Sequence, residues 1–353
     1  MDKNEFILYG ANGYTAQLIA RLAKSSRMEP VLAGRRASVI EPLAKSLKLP
    51  YRIVSLHEKQ KLHDLLSGSA IVLNAAGPFA FTARPMIEAC LATGTHYLDI
   101  TGEMPVFEMA KQYDAEAKKA GILIMPGVGF DVVPTDCLAL FLKGHLPDAS
   151  QLKLAFTTLN GSISHGTAMT MIQHLGEGGA TRVNGNIIKV PVGHKSMQVN
   201  FGSLNMLVMS IPWGDISTAY HTTNIPDIEV YTGISPHIYR ILKFQRLFNW
   251  ILRTGAVRSA IRNRIDCRPS GPSTTARQNG KSFIWGQVKN RDGKNVEARL
   301  TGPEGYTITA HTSVLILKKG LAGDYKPGYF TPAGLFGPDL ILEVPDVSRV
   351  LIT

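Results

Sequence analysis

The residues best suited to chemistry fall at the ends of apolar runs in the first third of the chain. Gly10-Ala11-Asn12-Gly13-Tyr14-Thr15-Ala16 directly follows EFILY and opens a helix-like stretch. Glycine at 10 permits a tight turn, and glycine at 13 lets a pyrophosphate approach the backbone. Small Ala16 allows the helix to pack close to a sheet, so exposed N–H groups at the positive helix terminus can meet phosphate. The spacing is GxxGxxA rather than GxGxxG, and a glycine turn in any α/β protein would look similar. At the end of the second apolar run stands Gly34-Arg35-Arg36. NAD-selective sites carry an acidic residue there, about 20 residues past the glycines, to accept hydrogen bonds from the ribose 2′-OH. Two guanidiniums suit a 2′-phosphate instead, so the expected cofactor is NADP(H). A third signal, Asn74-Ala75-Ala76-Gly77-Pro78, ends another run. Its small residues leave room for a nicotinamide to cross a switch point of the sheet.

Three carboxylates are the catalytic candidates. In Tyr97-Leu98-Asp99-Ile100-Thr101-Gly102-Glu103, two-residue alternation puts Tyr97, Asp99 and Thr101 on one face. Asp99 there could act as a general acid, while Asp99 or Glu103 could equally cap a neighbouring helix. Asp131, in Gly127-Val128-Gly129-Phe130-Asp131, is the second acid candidate, or a cap for the helix that Pro134 starts. Ser164 and His165 are weaker candidates for lining the substrate side. No metal site is expected.

Elements that could position these residues follow from the pattern. Strand-like runs at Glu5–Gly10, Pro30–Gly34, Tyr51–Leu56, Ala70–Ala75, His96–Thr101 and Gly121–Pro126 alternate with helix-like stretches. Apolar strands joined by helical crossovers imply a parallel sheet covered on both faces, with right-handed, doubly wound topology. Beyond Asp131 the texture becomes antiparallel-looking. Strands are expected at Gln151–Leu159, Asn186–Val192, Ser203–Ser210, Thr218–Thr223 and Asp227–Thr232. A helix is expected over His165–Leu175, a hairpin turns at Asp292-Gly293, and a helix covers Thr307–Lys318. The expected fold is thus α/β, a Rossmann-type NADP-binding domain over 1–130. A second, α+β domain over 131–353 would serve substrate binding and homodimer formation, with its last segment able to pack back on the first domain.

Composition narrows the class. At 353 residues the chain is too long for one ordinary domain, and 44% hydrophobic against 18% charged residues excludes a disordered chain. Cys90, Cys137 and Cys267 lie too far apart for a disulfide scaffold or a CxxC-type zinc site, which suits a reducing, cytoplasmic setting. The start lacks a secretory pattern, and no window long enough to span a bilayer stays apolar and uncharged. Net charge is +11, but seven basic residues and no acidic one lie between Pro236 and Arg264. Without those seven the rest carries +4, so the basicity is local and no nucleic-acid face is expected. At helical spacing, Ile241, Phe244, Phe248, Ile251 and Leu252 share one face of that segment, with Lys243, Arg246 and Arg253 opposite. Residues 236–264 are either a helix packed on its own domain or an interfacial helix on an anionic membrane, which would make the protein peripheral to the membrane.

The segments 10–16, Gly34-Arg35-Arg36, NAAGPF, YLDITGE and GFDVVPTD resemble those of the saccharopine dehydrogenase-like NADP-binding oxidoreductases. Gly271-Pro272-Ser273, Ile284–Val288, Pro303-Glu304-Gly305-Tyr306 and Tyr329–Ala333 resemble the trans-acting enoyl reductase branch. The resemblance spans nearly the whole chain. It implies an NADPH-dependent oxidoreductase acting on lipid or polyketide intermediates, with Gly10, Gly13, Arg35, Arg36, Asn74, Gly77 and Pro78 in the cofactor site. Ser55 departs from the aspartate common in the family. The leading expectation is hydride transfer to an unsaturated or carbonyl-type carbon of a lipid-like acyl intermediate. Two alternatives stay open: saccharopine-type imine or amino-acid chemistry, and a non-enzymatic NADPH-responsive binding protein.

Overall fold

The computed structural model describes residues 5–267 and 269–352. Its N-terminal part alternates strand and helix: β1 (Glu5–Tyr9), α1 (Tyr14–Ser25), β2 (Glu29–Gly34), α2 (Ala37–Leu47), β3 (Tyr51–Ile53), α3 (Lys59–Ser67), β4 (Ile71–Asn74), α4 (Phe79–Thr93), β5 (His96–Asp99), α5 (Met104–Lys111), α6 (Asp114–Ala120) and β6 (Leu123–Met125). Every residue of β4 and β5 is buried, as strands covered on both faces require. Helices carry the complementary apolar stripes: Ala16, Ile19, Ala20 and Ala23 on α1 are buried at helical spacing.

Then follow α7 (Val133–His145), β7 (Gln151–Leu159), α8 (His165–Gln173), β8 (Gly179–Val183), β9 (Asn186–Val190), β10 (Ser196–Asn200), β11 (Asn205–Ser210), α9 (Asp215–Thr223) and β12 (Asp227–Gly233). A helical stretch comes next, α10 (Pro236–Lys243), α11 (Gln245–Leu252), α12 (Gly255–Asp266) and α13 (Thr274–Asn279). The chain ends with β13 (Lys281–Lys289), β14 (Asn295–Pro303), α14 (Gly305–Leu321), β15 (Gly328–Tyr329), α15 (Pro332–Phe336) and β16 (Ser348–Ile352).

Two compact units result. The first runs to Val133 and takes back Tyr306–Leu335; the second comprises Pro134–Gly305 and Phe336–Thr353. In the first, seven parallel strands lie in the order β15-β6-β5-β4-β1-β2-β3. Chain order reverses at β1, which pairs with β2 on one side and β4 on the other, so this is the switch point of a doubly wound sheet. Because all strands run parallel, Gly10, Gly34, Asn74 and Asp99 gather at one edge. The returning segment adds α14 and the short β15, which pairs with β6.

The second unit holds a mixed sheet in the order β10-β11-β12-β7-β13-β14-β16, extended by β8 and β9. β12 pairs with β7 in parallel, so the all-antiparallel expectation is corrected there. Residues 218–223, expected as a strand, belong to the helix α9. Ile216, Ala219 and Thr223 are buried at helical spacing, and Thr222 and Thr223 donate back to the carbonyls of Thr218 and Ala219. Burial of the whole first turn, Asp215–Ala219, and of Thr223, with these bonds back to the preceding turn, accompanies the helical form despite the β preference of threonine.

The basic segment also differs from one continuous amphipathic helix. The amide of Phe244 bonds to Ile241 O, three residues back, and this turn separates α10 from α11. Leu252, expected on the outward apolar face, is half-buried. Arg253, expected among the solvated cations, donates to Gly176 O at 2.9 Å. The side chains of Lys243 and Arg246 lie outside the described residues. Among the described residues, no helix is long and apolar enough to cross a membrane.

Helix α7 lies against the second sheet at Gly286, where an added Cβ would sit 2.7 Å from Leu142 Cδ1 and 3.1 Å from Leu138 Cδ2. Gly286→Val should therefore push α7 off β13 and destabilise the protein by about 1–3 kcal/mol. Denaturant unfolding checks this, and an unchanged midpoint would show that α7 does not depend on that contact.

Candidate cofactor and active site

The turn after β1 is built by three backbone bonds: Gly10 N and Ala11 N to Ala33 O, at 2.8 and 3.1 Å, and Gly13 N to Gly10 O, at 2.9 Å. Gly10 adopts φ +81°, and a Cβ there would lie 2.7 Å from Ala76 N. Only glycine fits, on both conformational and steric grounds. Gly13 is the N-cap of α1 and supplies no side-chain cap, so that helix terminus presents backbone rather than a hydroxyl or carboxylate. Asn12, Gly13, Tyr14 and Thr15 are all partly exposed at this edge. Gly34 closes β2, and Arg35 and Arg36 follow it exposed, Arg36 being the N-cap of α2. A turn with the space of a missing Cβ, a helix start without a side-chain cap and two exposed guanidiniums fit a dinucleotide phosphate with a 2′-phosphate on its ribose.

The loop after β4 is tied down locally. Asn74 Oδ1 accepts from Ala76 N at 3.1 Å, and Thr82 Oγ1 donates to Ala76 O at 2.6 Å. Asn74 is fully buried, Ala75 and Ala76 are partly exposed, and Gly77-Pro78 is a cis peptide. Asn74 is thus a scaffold for the loop, and the loop backbone is what faces the strand edge.

The three carboxylates lie near this edge in different states. Asp99 is fully buried and accepts from Tyr97 Oη at 2.6 Å, Thr101 N at 2.9 Å and Gly127 N at 2.9 Å. Burial lifts its pKa to about 6 against those hydrogen bonds. Glu103 accepts from Phe79 N at 2.7 Å and Ala80 N at 3.1 Å, so it caps α4, a helix that precedes it in the chain. Asp131 remains partly exposed and packs on the backbone of Gly102. Its pKa is pushed up to about 7, chiefly by burial and then by the charge of Glu103. Ser164 and His165 are occupied within the second unit: Ser164 caps α8 through Thr167 N, and His165 Nε2 pairs with Asp266 at 2.7 Å.

Two neighbours of the edge escaped the sequence reading because they arrive from far along the chain. Tyr306, at the start of α14, stands edge-on to Tyr14, with ring centroids 5.3 Å apart and planes at 87°. Thr309 Oγ1 accepts from Phe130 N at 3.0 Å and so fixes the loop that carries Asp131. Only the Pro-Glu-Gly-Tyr stretch hinted at Tyr306; Thr309 left no sequence signal.

These features define a doubly wound dinucleotide-binding unit joined to a mixed-sheet unit. Comparison with known proteins adds what the chain is similar to. Residues 6–125 match the saccharopine dehydrogenase NADP binding domain. The saccharopine dehydrogenase-like oxidoreductase of Rattus norvegicus is 27% identical over 203 residues, 50% of this chain and 47% of that protein. A candidate trans-acting enoyl reductase of Mycobacterium tuberculosis is 30% identical over 190 residues, 48% of this chain and 44% of that protein. The chain spans about half the length of the curated relatives it matches. Apo saccharopine dehydrogenase (L-Glu forming) from Saccharomyces cerevisiae superposes with a TM-score of 0.66 over 99% of this chain and 100% of that one, at 14% identity, which is a likeness of fold. Over residues 6–125 the chain thus matches a saccharopine dehydrogenase NADP binding domain, and about half of it is similar to saccharopine dehydrogenase-like oxidoreductases.

The raised pKa of Asp99 has a consequence for stability. The folded state holds this proton more tightly than the unfolded chain, so the contribution is largest at low pH and is lost as pH rises from about 4 through about 6. Asp99→Asn can keep the Thr101 and Gly127 bonds through Oδ1 and donate to Tyr97 Oη through its amide. Its stability relative to the unmutated protein should grow between pH 4 and pH 7 by up to about 3 kcal/mol. Thermal unfolding across that range checks this, and a pH-independent difference would contradict it.

Proposed function

We propose that the protein is an NADPH-dependent oxidoreductase that reduces an unsaturated or carbonyl-type carbon of a lipid-like acyl intermediate. The observation that carries the reading is the strand edge itself: the Gly10 turn, Arg35 and Arg36 after the neighbouring β2, and the carboxyl of Asp131 after β6 on the other side of the switch point. Gly10 and Gly13 would receive the pyrophosphate, Arg35 and Arg36 the 2′-phosphate, and Ala75, Gly77 and Pro78 the nicotinamide half. NADPH, when bound, supplies the hydride.

Of the three carboxylates, Asp131 is the one proposed as proton donor. A group with pKa about 7 is protonated in a large fraction of molecules near neutral pH and still acidic enough to give the proton up. For an enoyl thioester, the β carbon takes the hydride and the α carbon takes the Asp131 proton, which balances the reduction. Asp99 and Glu103 serve as positioning residues, since their oxygens already accept backbone and tyrosine donors. The same acidic edge disfavours a substrate bearing several carboxylates, so the acyl reading is preferred over saccharopine-type chemistry. The candidate enoyl reductase of Mycobacterium tuberculosis points the same way.

The test is NADPH oxidation with a panel of 2-enoyl thioesters of increasing chain length. Turnover should be lost as pH rises through about 7. Asp131→Asn should cut it by roughly 10²–10⁴-fold while NADPH affinity stays nearly unchanged. Full turnover in that variant would remove Asp131 from the role, and a panel with no turnover would remove the acyl reading.

A further inference from the structure

The helices after β12 leave large apolar side chains in water. On α11, the half-buried side carries Asn249, whose Oδ1 has no hydrogen-bond partner among the described residues. Phe248, Trp250 and Ile251 point outward, with Trp250 72% exposed. On α10, Ile238 and Ile241 are exposed while Tyr239 turns inward and donates to Gly193 O at 3.2 Å. Phe244, at the turn between them, is 62% exposed. A helix on a soluble protein buries most of its apolar side chains; here Leu242 and Leu252 are half-buried, yet six large apolar side chains of the two helices and the turn between them stay exposed. Clustered exposed apolar side chains of this size, all within residues 238–251, favour a surface with a partner.

The cations of the segment divide into two groups. Arg253 Nε donates to Gly176 O at 2.9 Å and an Arg258 guanidinium nitrogen to Leu175 O at 3.1 Å. Both carbonyls lie just past the end of α8, so these two arginines clip α11 and α12 to that helix terminus. Ile265 of α12 packs with Ala168 and Ile172 of α8, completing the anchor. Arg240, Arg262 and Arg264 are exposed, and no acidic residue stands between Pro236 and Arg264.

We infer that α10 and α11 form a docking surface for an anionic lipid bilayer. Phe244, Phe248 and Trp250, with Ile238 and Ile241, enter the boundary between headgroups and acyl chains, while Arg240, Arg262 and Arg264 meet headgroup phosphates. The arginine clip is what holds the apolar side outward before any lipid is met. The occupant is chosen by charge: a segment with exposed arginines, exposed aromatic and aliphatic side chains and no acidic residue from Pro236 to Arg264 matches an anionic interface. This inference goes beyond the oxidoreductase reading and does not depend on it.

The full chain should co-sediment with phosphatidylcholine/phosphatidylserine vesicles, bind pure phosphatidylcholine far more weakly, and dissociate as salt rises. Replacing Arg240, Arg262 and Arg264 by glutamine should weaken partitioning about 100-fold. Replacing Ile241, Phe244 and Trp250 by serine should abolish it. Exchanging the exposed Lys45, Lys111 and Lys119 for glutamine removes the same charge elsewhere and should change it little. NADPH affinity and the unfolding midpoint, measured on every variant, report folding and the cofactor site separately. Absence of binding to anionic vesicles at low salt would overturn the inference. So would an oligomer that becomes monomeric in the Ile241/Phe244/Trp250 variant while vesicles stay bare, because a second copy would then cover the face.

Discussion

The N-terminal unit depends on one close approach, that of Gly10 to the backbone of Ala76. With φ at +81° and Ala76 N only 2.7 Å from where a Cβ would be, the position admits no side chain. That absence lets the chain leave β1 in a turn tight enough to start α1 four residues later. It also brings the β1 and β4 loops together at the point where strand order reverses. A dinucleotide lying across the two halves of such a sheet needs both loops at one edge. Ala16, buried against the sheet, then keeps the start of α1 close behind the turn.

The loops around this edge are held by buried carboxylates, an uncommon use of charge. Asp99 gathers Tyr97, Thr101 and Gly127, and Glu103 closes the open end of α4. Burying them is tolerable because hydrogen-bond donors surround their oxygens. Their charge has a further effect, since Glu103 helps keep Asp131 near neutrality. The residue that caps α4 thus also holds up the pKa of the carboxyl of Asp131.

What the sequence made legible was local. Apolar runs with glycine at their ends pointed to the parallel sheet, its strand edge and the Gly10 turn, because strand–turn–helix chemistry is written within about ten residues. Helix α1 over Tyr14–Ser25 and strand β7 over Gln151–Leu159 follow directly from such patterns. Long-range geometry was not legible. The cap that Glu103 gives α4, the edge contact of Tyr306 with Tyr14 and the grip of Thr309 on the Phe130 loop join residues from distant parts of the chain. The threonine-rich α9 read as a strand because its burial, not its composition, decides its form. Arg253 read as a solvated cation because nothing local reveals the carbonyl of Gly176 that it meets.

The central claim is that Arg35 and Arg36, at the flank of the Gly10 turn, select a cofactor carrying a 2′-phosphate. Calorimetric titration of NADPH and NADH into the unmutated protein and Arg35→Ala tests it most directly. A charge-assisted hydrogen bond is worth roughly 1.5–3 kcal/mol, so the substitution should weaken NADPH by about 10- to 150-fold and leave NADH nearly unchanged. Equal affinities for the two cofactors in the unmutated protein would contradict the account.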